Sequence, residues 1–177
     1  MQVNILKSAM KSGAVLGVLF SINFLLSIPT NNTLAGIIKC LVVGAIILAL
    51  YRLSTDFRDK ECGGYITYGK SFSFILFSFF YAALISSMVK FVYFQFINPD
   101  HLNNLYNELN NLYNEAMLLM EKMKFPIDSS FEDSLSSLLK PASFSLQYIW
   151  VNMLGGTFVG LIMAAFIKKE KNIFEEQ

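Results

Sequence analysis

Four long runs of apolar residues, separated by shorter polar segments, dominate the pattern of the chain. They cover residues 9–28, 34–51, 71–97 and 142–167. As helices rising about 1.5 Å per residue, all four are long enough to cross a hydrocarbon core of roughly 30 Å. The pattern therefore predicts an all-α, polytopic protein with four transmembrane helices in a single membrane domain.

The polar segment 98–140, between the third and fourth runs, has a helical pattern of its own. The heptad LNNLYNE occurs twice in succession and gives a leucine seam, which indicates a helix ending near Phe125-Pro126. A short amphipathic helix follows, so we predict a helical hairpin. The seam packs either on that second helix or the membrane, or on a second copy or a partner helix. Its leucines are Leu102, Leu105, Leu109 and Leu112.

Lysine and arginine are unevenly distributed around the four runs, which predicts their orientation. Nine flank one side, against three in segment 98–140. Both termini and the loop 52–70 are therefore expected to be cytoplasmic, and the acidic segment 98–140 outward. A cleaved signal peptide is the alternative for the first run, although the best cleavage site, Thr33-Leu34-Ala35, lies well beyond it. The nine are Lys7, Lys11, Arg52, Arg58, Lys60, Lys70, Lys168, Lys169 and Lys171.

Composition agrees with a membrane protein and narrows the possible partners. Of the 177 residues, 54% are hydrophobic and 15% charged, and the net charge is +1. The lipid bilayer is therefore the expected partner, and no global field recruits nucleic acid. The two cysteines, Cys40 and Cys62, form no C-x-x-C pair, so we expect free thiols and no zinc site.

GYITYGKS, residues 64–71, matches the phosphate-binding pattern G-x-x-x-x-G-K-[ST]. A P-loop needs a buried strand before the glycines, so that backbone N–H groups surround the phosphates. The preceding residues are charged and irregular, and a membrane span follows. We therefore predict that the chain binds no nucleotide.

The loop before the third run carries a motif with a family resemblance. The series FRDK, residues 57–60, then GGYITYG, residues 63–69, and an aromatic span ending near Asn98-Pro99 resembles the domain of unknown function 4199 (DUF4199) family. The resemblance covers nearly the whole chain and implies a small multi-pass protein of the bacterial inner membrane, from Bacteroidota, with no activity to transfer. The motif residues are Arg58, Asp59, Gly63, Gly64, Tyr65 and Gly69.

Two lysines lie inside the predicted spans. Lys39 and Lys90 lie roughly 7 to 10 Å from the outer ends of their spans, within reach of snorkelling to the headgroups. They either snorkel or meet Glu108 or Glu115 above the membrane, or they line a pocket for an anionic lipid or solute.

Residues suited to catalysis are few. The single histidine, His101, follows Asp100 where a helix is expected to start, and the serines lack a G-x-S-x-G context. We predict no catalytic residue, no metal site, no cofactor and no enzyme activity.

Stripes of small residues mark the first and fourth runs, and such stripes favour close helix approach in lipid. Counting inward from the cytoplasmic ends gives the two stripes similar depths. We predict that the two spans pack on each other, with Gly13 beside Ala164, Gly17 beside Gly160 and Ser21 beside Gly156. The alternative is that one stripe serves a homodimer. The stripes are Gly13, Gly17 and Ser21, and Gly156, Gly160 and Ala164.

The sequence therefore favours a non-enzymatic envelope protein acting through helix contacts. The alternative is a component of a small-solute or lipid transporter that uses Lys39 and Lys90. The sequence contains neither an inverted repeat nor a broken helix apart from Gly155-Gly156, which weighs against this alternative.

Overall fold

A computed structural model describes residues 4–28, 33–122 and 131–170, and most of these residues are helical. Four of the helical stretches in this part of the chain are long and apolar enough to span a membrane: Ile5–Leu25, Gly36–Glu61, Tyr68–Ile97 and Pro141–Ile167. The prediction of an all-α protein with four membrane helices is confirmed. The α-helices are α1 (Ile5–Leu25), α2 (Thr33–Asp56), α3 (Tyr68–Val92), α4 (Asp100–Lys122), α5 (Phe131–Leu138) and α6 (Pro141–Ile167).

Two of the helices end in a π-helical turn, and the second span thereby continues beyond its predicted end at Tyr51. A π-helical turn, Phe57–Glu61, extends α2, and a second, Tyr93–Ile97, extends α3. The predicted loop 52–70 is therefore reduced to residues 62–67. Its charged residues stay helical because a membrane helix need not end where its apolar run ends. The predicted helix stop at Phe125-Pro126 lies outside the described residues.

The chain divides into two compact units. That it forms a single membrane domain stays a prediction. Unit 1 comprises Met1–Ser87 and Ile149–Gln177, and its core is built around α3. Phe74 and Ile75 are fully buried there, and Phe57 stacks on Phe74 with ring centroids 4.1 Å apart. The Ser78 hydroxyl, also buried, donates to the Phe74 carbonyl at 2.8 Å, so a polar side chain is satisfied within its own helix.

Unit 2, Met88–Tyr148, contains α4, α5 and the adjoining ends of α3 and α6. Its core is aromatic: the Phe94 ring packs edge-on against Phe144 at 5.3 Å and stacks on His101 at 5.6 Å. Helix α4 begins at Asp100, and the backbone N–H of His101 donates to the Asn98 side-chain oxygen at 3.1 Å. The predicted helix start at Asp100-His101 is confirmed.

Candidate functional site

The loop motif forms a tight reversal between α2 and α3. Gly63 and Gly64 have φ of +70° and +87°, a left-handed backbone that other residues rarely adopt. The Gly64 N–H donates to the Arg58 carbonyl at 2.9 Å, which closes the turn onto the π-helical segment. Gly63 and Gly64 are therefore required by backbone geometry.

The residues after the glycines pair with the chain beyond α6. Ile66 and Lys169 exchange two backbone hydrogen bonds, of 2.9 and 3.0 Å, as an isolated antiparallel bridge. The Ile66 side chain is 3% exposed, so this short pairing is anchored in the core of unit 1. The Tyr68 hydroxyl donates to the Leu161 carbonyl at 3.1 Å, which adds a second link to α6.

Arg58 of the motif and the adjoining Glu61 bind the ends of two other helices. Arg58 forms an ion pair with Asp59 at 2.7 Å and donates to the Ile167 carbonyl, the last of α6, at 3.3 Å. The Ser8 hydroxyl, in the first turns of α1, donates to a carboxylate oxygen of Glu61. The loop thus connects to α1 and α6 as well as to the helices it joins. The Ser8–Glu61 and Ile66–Lys169 contacts join residues far apart in the chain, and no local pattern in the sequence indicates them.

A cavity of about 230 Å³ opens beside the backbone bridge. The Lys169 ammonium lies 5.6 Å from the centre of the Tyr65 ring, within the range of a cation–π contact. On the neighbouring turn, burial raises the pKa of the Cys62 thiol, while the nearby Lys70 charge opposes that rise. The cavity is lined by Tyr65, Ile66, Thr67, Lys70, Lys169 and Glu170.

The P-loop lookalike lies in this loop, but its surroundings differ from those of a P-loop. The π-helical turn Phe57–Glu61 precedes its first glycine, Gly64, where a P-loop has a buried strand. The second glycine, Gly69, has a negative φ and open space beside it. That the chain binds no nucleotide stays a prediction.

The small-residue stripes pack on α3, so the predicted contact of the first and fourth spans through them is wrong. A Cβ on Gly13 would lie 2.5 Å from the Tyr81 Cβ, and one on Gly17 would lie 2.9 Å from the Ile85 Cβ. Gly156 and Gly160 also approach α3, but at the side chains of Phe79, Phe72 and Ile75. Large side chains of α3 therefore fill the space that the pairing of Gly13 with Ala164, and of Gly17 with Gly160, required.

The third residue of each stripe is buried. The Ser21 hydroxyl donates to the Gly17 carbonyl of its own helix at 2.8 Å, and Ala164 is fully buried. Both stripes therefore do pack against other parts of unit 1, as small residues in membrane helices commonly do.

The two lysines inside the spans have different environments. Lys39, in unit 1, is exposed on α2. Lys90, in unit 2, is 5% exposed, and its ammonium lies 3.5 Å from the centre of the Tyr148 ring. The sequence offered no signal for Tyr148 as a partner of Lys90. That the two lysines bind an anion stays a prediction.

The leucine seam of α4 becomes more exposed along the helix. Leu102 is 4% exposed, Leu105 and Leu109 are half-buried, and Leu112 is 56% exposed. On α5 and just beyond it, Leu135 and Leu139 are buried. A hairpin packing accounts for the start of the seam but leaves Leu112 uncovered.

Few groups suited to metal binding lie close together. Within the residues that the structure describes, no three histidine, cysteine or carboxylate side chains form a cluster that could hold a metal ion. Cys40 and Cys62 are free thiols, as predicted.

Four apolar helices and this tightly bound loop define a multi-pass membrane protein. Residues 11–169 match the family model described as "Protein of unknown function (DUF4199)", so the chain belongs to that family. The resemblance expected from the loop motif is confirmed. No curated protein and no solved structure matches the chain.

Proposed function

We propose that this protein is a non-enzymatic membrane protein that acts through contacts of α4 with a second copy or a partner helix. The observation that carries the proposal is the exposure of the seam at Leu112, where 56% of a leucine side chain is uncovered. Leu105 and Leu109, half-buried on the same seam, join Leu112 to the buried start of the helix, so the apolar face continues to the uncovered position, and an apolar face of this kind is a candidate interaction site. The proposal assigns no catalytic residue.

The charges along the seam constrain the helix that could cover it. With Leu102 at position a, Glu108 and Glu115 fall at g in successive heptads, and Tyr106 and Tyr113 fall at e. A parallel pair of identical helices places each glutamate opposite a tyrosine, whereas an antiparallel pair brings glutamates together. A parallel second copy, or a partner with lysine or arginine facing the two glutamates, is therefore favoured.

Purification of the full chain in mild detergent tests this proposal. We expect one component, either a second copy or another protein, to co-purify with the chain in a stoichiometric amount. It should be lost from the Leu112→Asn variant and retained by the Asn114→Ala variant. Both residues are exposed on α4, so neither change is expected to unfold the helix. Light scattering measures the mass, and mass spectrometry identifies the component. A monomer without a stoichiometric component, or an association indifferent to Leu112→Asn, contradicts the proposal.

A transporter component is the second candidate, and the burial of Lys90 favours it. Charged side chains inside spans are costly and commonly mark ion or substrate paths. This function predicts flux of an anionic solute in proteoliposomes that Lys90→Met abolishes. The exposed Lys39 provides the matched control, because Lys39→Met removes the same charge from another span. Equal flux in both variants and the wild type counts against this candidate.

We also propose the bacterial inner membrane as the location, with both termini cytoplasmic. The asymmetry of lysine and arginine around the spans supports this orientation. Alkaline phosphatase fused at Glu61 should be inactive. A fusion at Asp128, outside the described residues, should be active. The opposite pattern means a reversed orientation.

A further inference from the structure

The cavity beside the loop motif brings two lysines together from distant parts of the chain. Lys70 lies in the first turn of α3, and Lys169 lies two residues beyond the end of α6. The two backbone hydrogen bonds between Ile66 and Lys169 hold these segments side by side. Both lysines therefore line the same cavity of about 230 Å³.

The charge balance in this cavity favours an anion. Its lining contains one carboxylate, that of Glu170, and the Lys168 ammonium lies 3.5 Å from it. The nearby Asp59 is paired with Arg58 at 2.7 Å. The lining itself therefore contains two lysines, Lys70 and Lys169, against the one carboxylate of Glu170, which leaves an excess of positive charge.

The remaining lining suits a ligand with an uncharged polar part. The Thr67 side chain adds a hydroxyl that can donate to an oxygen, and Tyr65 supplies an aromatic wall. At roughly 30 Å³ per water, the cavity has the volume of about eight waters, enough for a phosphate and its substituents.

The cavity lies where two membrane spans end. The span Tyr68–Ile97 begins beside it, and the span Pro141–Ile167 ends two residues before Lys169. Lysine and tyrosine at such a boundary lie at the level of the lipid headgroups. We propose that this cavity binds a phosphate group, presented by the headgroup of an anionic phospholipid. This inference does not depend on the α4 contacts proposed above.

The test measures lipid binding by the purified full chain through its thermal stability. A ligand that binds the folded state raises the melting temperature with its concentration. Phosphatidylglycerol, added to phosphatidylcholine micelles, should raise the melting temperature in a saturable way. We expect Lys70→Ala and Lys169→Ala each to raise the half-saturating concentration about fivefold, and Glu170→Gln to lower it.

Lys60→Ala is the matched control for charge. Lys60 belongs to the same loop region, but its partner is Asp56 at 2.8 Å and it does not line the cavity. This variant should bind phosphatidylglycerol as the wild type does. Both lining lysines are exposed, so loss of either should leave the fold intact. Equal half-saturating concentrations in the wild type, Lys70→Ala and Lys169→Ala overturn the proposal.

Inorganic phosphate, added in phosphatidylcholine alone, distinguishes the two sources of a phosphate group. If the lipid is the ligand, phosphate competes weakly and produces little shift by itself. Suppose instead that phosphate alone raises the melting temperature fully and saturably, that Lys169→Ala abolishes this rise, and that phosphatidylglycerol does not change it. That result overturns the lipid as the source of the phosphate group. If phosphatidylglycerol and phosphatidylcholine change the melting temperature equally, and phosphate does not change it, the cavity is not a phosphate-binding site.

Discussion

Replacing Gly13 by alanine tests the packing of α1 on α3. The added Cβ would lie 2.5 Å from the Tyr81 Cβ and 2.8 Å from the Ser78 carbonyl oxygen. Neither atom belongs to the flexible end of a side chain, so α1 and α3 must move apart. Gly155→Ala is the matched control, because nothing lies within 4 Å of a Cβ at that position of α6.

The expected magnitude follows from two opposing contributions. Inserting a methyl into a packed interior costs about 1–3 kcal/mol, and the backbone contact places Gly13 near the upper value. Alanine gains about 1 kcal/mol over glycine in a helix, which applies to both variants. We therefore expect Gly13→Ala to lower the free energy of unfolding by about 2 kcal/mol. Gly155→Ala should leave it unchanged or raise it by up to about 1 kcal/mol.

The other stripe glycines extend this comparison into a graded series. The nearest atom to an added Cβ lies at 2.6 Å for Gly156, 2.9 Å for Gly17 and 3.3 Å for Gly160. Destabilisation should therefore decrease in the order Gly13, Gly156, Gly17, Gly160, with Gly155 last. Because all five positions are helical glycines replaced by alanine, differences in helix propensity do not produce this order.

The assay is reversible unfolding in mixed micelles, titrated with a denaturing detergent and followed by circular dichroism. Where two variants unfold with the same dependence on denaturing detergent, the difference between their transition midpoints gives the difference in their free energies of unfolding. A Gly13→Ala variant as stable as Gly155→Ala would refute the assignment of the α1 stripe to α3. Equal effects at Gly156 and Gly160 would refute the graded distances.

Three further predictions concern the loop. Gly64→Ala, at φ +87°, should lower the free energy of unfolding by about 1–2 kcal/mol, whereas Gly69→Ala should have little effect; equal stabilities contradict this. Equilibrium dialysis should detect no saturable ATP or GTP binding, and Lys70→Met should change nothing in it; micromolar binding lost in Lys70→Met disproves this. Because burial raises the Cys62 pKa, maleimide alkylation of Cys62 should need a higher pH in the folded than in the unfolded protein, and coincident pH profiles contradict this.

The helices could be predicted from the sequence because each depends on a local property. An apolar run of sufficient length must be helical in lipid, since every backbone group has to be satisfied within its own segment. The end of α2 was harder to predict, because Phe57 and the four charged residues after it form a π-helical turn outside any apolar run. What stabilises that turn is the stacking of Phe57 on Phe74, a contact between two helices.

The candidate site could be predicted only in part. The glycines of the loop motif indicate a tight reversal, and the structure contains one at Gly63 and Gly64. The pairing of Ile66 with Lys169 joins residues about a hundred positions apart, and no periodicity or spacing encodes such a contact. The same holds for Lys90 and Tyr148, since any aromatic ring of unit 2 would have suited a buried lysine equally well.

The partner of the small-residue stripes shows what such a pattern can and cannot specify. A glycine stripe allows close approach, but a large side chain can use that space as well as a second glycine. Gly13 and Gly17 meet Tyr81 and Ile85, in the same chain order, so α1 and α3 run parallel. The stripes determine which faces are buried, while the aromatic and branched side chains of α3 determine what covers them.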